Sequence, residues 1–302
     1  APSETLEPSP YFPTSRRFHN PLYLRPEVVP GAAEAIDLES AAAAGRALDA
    51  RREIDRDAVW KIKSAALESL WHAGVGREAF DEWFRGQPDS LERFAVWCAL
   101  AERYGAHWRV WPAELRRPGA AVAAAADRDR VRFHAWLQWL TGEQLDAAGQ
   151  EVALIQDLPI GFDPEGFDAW EWQDLLADGV SIGAPPDEFS IDGQDWGLPP
   201  FVPWRLRDAG YRPFVDTIRA SMATGGGLRI DHVMGLFRLW WITRDASPTD
   251  GAYVRYPADD LLAIVALESQ RAGALVVGED LGTVEESARD VLGAHDVLSY
   301  RL

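Results

Sequence analysis

The sequence predicts an α/β fold in which parallel strands are joined by helical crossovers. Three observations carry this. Short runs read as strands at Val152-Ala153-Leu154-Ile155, Leu228-Arg229-Ile230-Asp231 and Ala274-Leu275-Val276-Val277-Gly278-Glu279, with the near-continuous apolar character of strands buried on both faces. Helical stretches over residues 205–223 and from Ala258 to Ala272 precede the second and third runs, and such alternation implies parallel strands. Each run leads into a carboxylate, Asp157, Asp231 or Glu279, and parallel barrels draw their site residues from the carboxyl ends of several strands. At 302 residues the chain suits either two ordinary domains or one α/β barrel with insertions.

Taken in order, residues 1–30 are proline-rich and read as an extended loop through Asn20-Pro21-Leu22-Tyr23. Residues 34–148 are helical in character. Val59, Ile62, Ala66, Leu67, Leu70 and Trp71 follow helix spacing, as do Leu91, Phe94, Ala95, Cys98 and Ala99, and then Phe133, Trp136, Leu137 and Leu140. Cys98 lies on such an apolar stripe, so it reads as a core thiol. As the only cysteine it excludes an internal disulfide and suits a reducing, cytoplasmic setting. After residue 150 the strand runs begin.

Composition narrows the function. Hydrophobic residues make up 47% and charged residues 26%, ample for a core. No apolar run approaches the ~20 residues of a membrane span. The charge is 30 − 48 = −18. Such a surface repels phosphate backbones and anionic membranes, so neither nucleic acid nor a membrane is an expected partner. A neutral ligand is not repelled. The 14 tryptophans either fill the core or stack on the apolar faces of sugar rings.

Arg229 and Asp231 are two apart on a strand and share one face. The guanidinium favours the ionised carboxylate, which suits a nucleophile for an anomeric carbon. Glu279 has no adjacent cation in sequence. Burial beside another carboxylate would raise its pKa, as a general acid requires. The separation, 279 − 231 = 48 residues, allows one crossover with a modest insertion, so adjacent strands would present the two acids across a cleft. Paired carboxylates of this kind equip a glycosidase, at about 5–5.5 Å apart for a retaining reaction. Asp157 and Asp280 read instead as caps of the helices that follow. No cluster has zinc or calcium spacing, and Gly225–Gly227 lacks the Lys-Ser/Thr of a phosphate loop, so neither metal nor organic cofactor is expected.

Several stretches together resemble one family. Arg229-Ile230-Asp231-His232 with Gly235, and Val277-Gly278-Glu279-Asp280-Leu281-Gly282, resemble the nucleophile and acid/base motifs of the 4-α-glucanotransferases, or amylomaltases, of glycoside hydrolase family 77. Ser9-Pro10-Tyr11 with Ser15-Arg16-Arg17-Phe18 and Asn20-Pro21-Leu22-Tyr23 resembles that family's donor-site loop. Asp157-Leu158-Pro159-Ile160-Gly161, running to Asp168-Ala169-Trp170, resembles its third-strand segment. Gly183-Ala184-Pro185-Pro186-Asp187 through Trp196-Gly197-Leu198-Pro199 resembles the substrate loop that follows.

The resemblance implies a (β/α)8 TIM barrel with helical insertions, incomplete in this chain. Residues 1–302 would be part of one catalytic barrel domain, with 34–145 largely a helical insertion and 150–302 the strands carrying the site. It also implies transfer of an α-1,4-glucan segment to the 4-hydroxyl of glucose or another glucan, with malto-oligosaccharides as partners. Asp231 would be the nucleophile and Glu279 the acid/base. Arg229 would orient Asp231, and Tyr11 would stack on the donor sugar. Asp163 would bond that sugar, or merely make the turn before Pro164. Trp196 would line the acceptor side, or merely pack its loop. His232 would face away if the strand continued through it. The family's third acid, an Asp after a His, is expected beyond residue 302. His295-Asp296 lies only 296 − 279 = 17 residues past Glu279, too few for a complete βα unit. An α-amylase-type hydrolase or a non-catalytic glucan-binding fragment would share much of this pattern.

Overall fold

The computed structural model describes residues 9–188, 190–281, 284 and 286–299. The chain divides into two compact units. Among the described residues one comprises 18–147, and the other 9–17 with those from 148 to 299.

In the described residues of the first unit the structure is helical: α1 (Ala32–Ala35), α2 (Glu39–Asp49), α3 (Arg56–His72), α4 (Arg77–Arg85), α5 (Asp89–Tyr104), α6 (Ala120–Ala125) and most of α7 (Arg128–Glu151). The proline-rich stretch expected as an extended loop instead contains two short 3-10 turns, Pro21–Tyr23 and Pro26–Val28. The first is capped by Asn20, whose Oδ1 accepts the Leu22 amide at 3.0 Å. Asp55 caps α3 by accepting the Ala58 amide. The periodic residues are buried: Leu67 and Leu70 of α3, Phe94 and Cys98 of α5, and Phe133 and Trp136 of α7. Trp71 stands 5.7 Å from Trp136 and 6.0 Å from Phe80, ring centroid to centroid. Many tryptophans are therefore core residues, Trp71, Trp97, Trp111, Trp136 and Trp170 among them. Burial pushes the Cys98 thiol up to about 12, as befits an inert core sulfur.

A charged knot ties three of these helices. Glu102 of α5 accepts from Arg130 of α7 at 2.5 Å and lies 3.1 Å from His134 Nε2, while Arg130 also reaches Glu68 of α3 at 3.2 Å. Burial works to raise the Glu102 pKa, but the bonds and charges of His134 and Arg130 outweigh it and bring it down to about 2. Burial lowers the His134 pKa despite Glu102. Both folded values lie below the unfolded ones, so both groups lose stability in the same direction, as pH falls. The protein is expected to lose stability as pH drops from about 6.5, where the unfolded histidine takes up its proton. A further loss follows below about 4.5, where the unfolded glutamate is protonated. Urea midpoints measured from pH 8 to pH 4 check this, and His134→Gln is expected to flatten the upper part of the curve.

The second unit contains β1 (Ile155–Leu158), α8 (Phe167–Glu171), β2 (Val180–Ala184), β3 (Gln194–Leu198), α9 (Pro203–Asp208), α10 (Arg212–Ser221), β4 (Gly227–Ile230), β5 (Arg238–Thr243), β6 (Ala252–Arg255), α11 (Ala258–Ala272), β7 (Leu275–Gly278), α12 (Glu286–Ala294) and β8 (Leu298–Ser299). One sheet has the order β1-β4-β7-β8 and is wholly parallel. Its outer face is Leu158, Leu228, Ile230 and Val276, packed under Leu206, Ile218, Leu262, Val265 and Leu292 of the crossover helices. The alternating strands and helices are thus those of a parallel β/α architecture.

Two expectations need correction. The first strand begins at Ile155, three residues later than the apolar run suggested, because α7 continues to Glu151. The strands are also buried on one face only. Ile155, Leu275 and Leu298, which alternate to the opposite face, are more than half exposed. Among the described residues of this unit, the crossover helices pack on the outer side of these four strands.

A second sheet, β3-β2-β5-β6, is antiparallel. It arises within the stretch between β1 and α11 and packs Ile182, Leu198 and Leu239 against Trp196 and Trp241. Among the described residues no helix is long and apolar enough to cross a membrane.

Candidate active site

Register brings the acids together. Leu158, Ile230 and Gly278 are aligned across β1, β4 and β7. The residues just beyond, Asp231 and Glu279, therefore emerge side by side at the carboxyl ends of neighbouring parallel strands. Strand spacing is about 4.7–4.9 Å. The backbone holds them there: the Asp231 amide donates to Leu158 O at 3.0 Å, and the Glu279 amide donates to Ile230 O at 2.9 Å. One layer below, Asp157 and Arg229 are register partners. Arg229 reaches Asp157 Oδ1 at 2.5 Å with Nη1 and Asp231 Oδ1 at 3.0 Å with Nη2. The guanidinium therefore bridges two carboxylates on two strands, the fork that arginine geometry favours. Tyr11 completes the row, its hydroxyl donating to Asp157 Oδ2 at 2.9 Å.

Asp157 is the residue that sequence reasoning missed. It was expected to cap a helix, yet it sits between Tyr11 and Arg229. The available signal was its position: like Asp231, it follows a run that leads into a loop.

The electrostatics also differ from expectation. Burial raises the Asp231 pKa. Arg229 pulls it back down, and the Asp157 and Glu279 charges push it up again, leaving it above the ordinary carboxylate value. Arg229 thus restrains a shift whose net direction is upward. The bond to Asp157 raises the Tyr11 pKa, with burial adding to it. Both Glu279 oxygens accept backbone amides, Oε2 from His232 at 3.0 Å and Oε1 from Leu281 at 2.8 Å.

His232 does not sit on a continuing strand. β4 stops at Ile230, and His232 adopts a left-handed conformation with φ 46°. That turn aims its amide at Glu279 and sets its ring edge-on against Trp196, with centroids 5.5 Å apart. Burial lowers its pKa. Gly278 makes the close approach feasible, since a Cβ there would lie 2.9–3.1 Å from the Val233 side chain. Trp196 both contacts His232 and packs on its own sheet.

Asp163 behaves as a turn residue. Its Oδ1 accepts the Glu165 amide at 2.8 Å and its carbonyl accepts the Gly166 amide. Asp280 turns away from the strand mouth and pairs with Arg289 of α12 at 3.2 Å. Asp296 lies in a left-handed turn ahead of β8, at the amino end of that strand, opposite in sense to the carboxyl-end acids. Gly282 of the acid/base stretch lies outside the described residues.

A cavity of about 80 Å³ adjoins Asp231 and His232, walled by Arg16, Leu158, Phe201 and Leu239 among others. It is far smaller than the ~300–1,000 Å³ of ordinary ligand pockets.

Parallel β/α units with carboxylates at the strand mouths define a barrel-type fold with its functional groups at one end. The chain belongs to the 4-alpha-glucanotransferase family, glycoside hydrolase family 77, whose model matches residues 1–302. It is 49% identical to a 4-alpha-glucanotransferase of Mycobacterium tuberculosis, over 96% of this chain and 42% of that protein. It is 36% identical to one of Haemophilus influenzae, over 97% of this chain and 47% of that one. The crystal structure of amylomaltase from Corynebacterium glutamicum superimposes with TM-score 0.80 at 35% identity, covering 99% of this chain and 44% of that one. The fold is also that of an amylomaltase from Streptococcus agalactiae, with TM-score 0.81 at 19% identity over 95% of this chain and 61% of that one. The chain spans less than half the length of these curated relatives.

Proposed function

We propose that this chain carries the nucleophile and the acid/base of a 4-α-glucanotransferase. The observation that supports this most is the matched register of Asp231 and Glu279 on adjacent parallel strands, with Arg229 bridging Asp231 and Asp157.

In this reading Asp231 attacks C1 of a glucosyl unit in an α-1,4-glucan. Glu279 gives its proton to the departing glycosidic oxygen as the C1–O bond breaks. The glucan is then esterified to Asp231, and Glu279, now a base, takes the proton from the 4-hydroxyl of an acceptor sugar. Two inversions retain the α configuration. Arg229 orients Asp231, and Asp157 and Tyr11 form the floor for the donor sugar. Trp196 and His232 lie on the acceptor side. Asp163, whose Oδ1 also accepts the Glu165 amide, bonds the donor sugar. Malto-oligosaccharides and glucose are the substrates, no cofactor takes part, and the setting is cytoplasmic. Residues 34–145 form a helical insertion in a barrel to which 150–302 contribute strands.

Incubation of the full-length chain with maltotriose tests the reading. Longer oligosaccharides plus glucose are expected. Glucose and maltose without chain growth would mean hydrolysis, and no product would mean a glucan-binding role alone.

A pH profile tests the electrostatics. Arg229 holds the Asp231 pKa down against burial, so removing the guanidinium raises it. Activity requires ionised Asp231 and is lost as pH falls through that pKa. Arg229→Gln is therefore expected to move the acid limb of kcat/KM to higher pH. An unmoved limb would exclude Asp231 as the group that titrates there.

A further inference from the structure

We propose that Asp168 is a positioning residue that locks the Ser9–Arg17 loop and thereby holds Tyr11 in the donor site. The proposal rests on the functional reading above.

The loop carrying Tyr11 has no helix or strand of its own. A segment of this kind keeps one conformation only if side chains tie it down. Here the ties converge on one carboxylate. Asp168, in α8, is completely buried. Its Oδ1 accepts from Ser15 Oγ at 2.8 Å and from Arg17 Nε and Nη2 at 3.3 and 3.0 Å. Its Oδ2 accepts the Arg16 amide at 2.9 Å. Three consecutive loop residues thus donate to a single side chain.

The surroundings sharpen the grip. Arg17 also donates to Glu171 and stacks on Trp172, 4.0 Å from the ring centroid. The Asp163 amide donates to Pro13 O and the Asp168 amide to Thr14 O. Gly166 lets the two segments meet, since a Cβ there would lie 2.5 Å from Thr14 O. Arg16 donates to Pro159 O and Ile160 O, at 3.2 and 3.1 Å, so the same loop is fastened to the segment that leaves β1. Asp157 is on β1, and Tyr11 donates to it.

The position of the Tyr11 ring is therefore set from both sides, by its own bond to Asp157 and by the clamp four residues further along. Asp168 is completely buried, so it touches no glucan. Its effect on the reaction passes through Tyr11. Asparagine in its place keeps the shape but offers one amide group where only acceptors fit.

Asp168→Asn and Ser15→Ala in the full-length chain test this, the second being the milder change should the first not fold. Hydrogen exchange is read first and needs no turnover. The Arg16 amide and its loop neighbours are expected to exchange at least ~10-fold faster in Asp168→Asn, with residues 155–158 unchanged. Each variant is then combined with Tyr11→Ala and assayed on maltotriose. With Tyr11 present, Asp168→Asn is expected to lower kcat/KM about 10-fold, and Ser15→Ala about 3-fold. In the Tyr11→Ala background both are expected to lower it less than about 2-fold, the non-additivity of groups acting as one. Equal factors in the two backgrounds would make Asp168 merely structural, and unchanged loop exchange would abolish the clamp; either result overturns the proposal. A wild-type chain that makes no product from maltotriose would instead defeat the functional reading, and the exchange data would still decide whether the clamp exists.

Discussion

Asp231→Asn is expected to lower maltotriose disproportionation by at least ~10⁴-fold, the scale of losing a covalent nucleophile. The change is nearly isosteric and leaves the backbone bond from the Asp231 amide to Leu158 O in place. Arg229 keeps Asp157 as a partner. Burial and two neighbouring carboxylates disfavour the charged form of Asp231, so the neutral amide is expected to leave the thermal midpoint unchanged or raised. Initial rates and melting curves on the same preparations check both halves. A loss smaller than about 10-fold would rule out Asp231 as nucleophile.

Glu279→Gln is expected to slow transfer between natural glucans by about 10²–10⁴-fold, the usual contribution of a general acid or base. Its signature lies in the choice of donor. An α-maltosyl fluoride needs no proton to release its leaving group, so the first displacement survives in the variant. The second step still lacks its base. The glycosyl ester on Asp231 is therefore expected to accumulate, and intact-protein mass spectrometry would detect one added glycosyl unit. An equal loss with the fluoride and with maltotriose would remove Glu279 from the proton-transfer role. Glutamine also offers one carbonyl oxygen where the His232 and Leu281 amides now meet two acceptor oxygens, so a melting curve is the necessary control.

These outcomes separate what was legible in the residues from what was not. The helix from Ala258 to Ala272 is found with the bounds its pattern gives, and β7 falls inside the run from Ala274 to Glu279. Both carry clear periodic or continuous apolar signals with glycine at the boundary. The strand holding Asp157 begins three residues later than the apolar run suggests because Val152-Ala153-Leu154 is as apolar as a strand, and composition alone does not say where α7 ends. The antiparallel sheet went unread. Its strands β2 and β3 lie among glycine, proline and aspartate, which read as loop, and only Leu239-Trp240-Trp241-Ile242 in β5 carried a strand composition. For His232 the residues leave open whether the strand continues through it, because no local feature announces the left-handed turn, beside which Gly278 leaves room for the Val233 side chain.

The sequence by itself determined the acids at the strand ends, the parallel alternation behind them and the pairing of Arg229 with Asp231, because those depend on spacing within a few residues. Tertiary structure alone decided that Asp157, 72 residues from Arg229, shares its guanidinium, and that a carboxylate in α8 grips the loop bearing Tyr11. The physical reason is register. How far one strand slides past its neighbour is set by the packing of the crossover helices on the outer face, a sum over many distant contacts that no local pattern records.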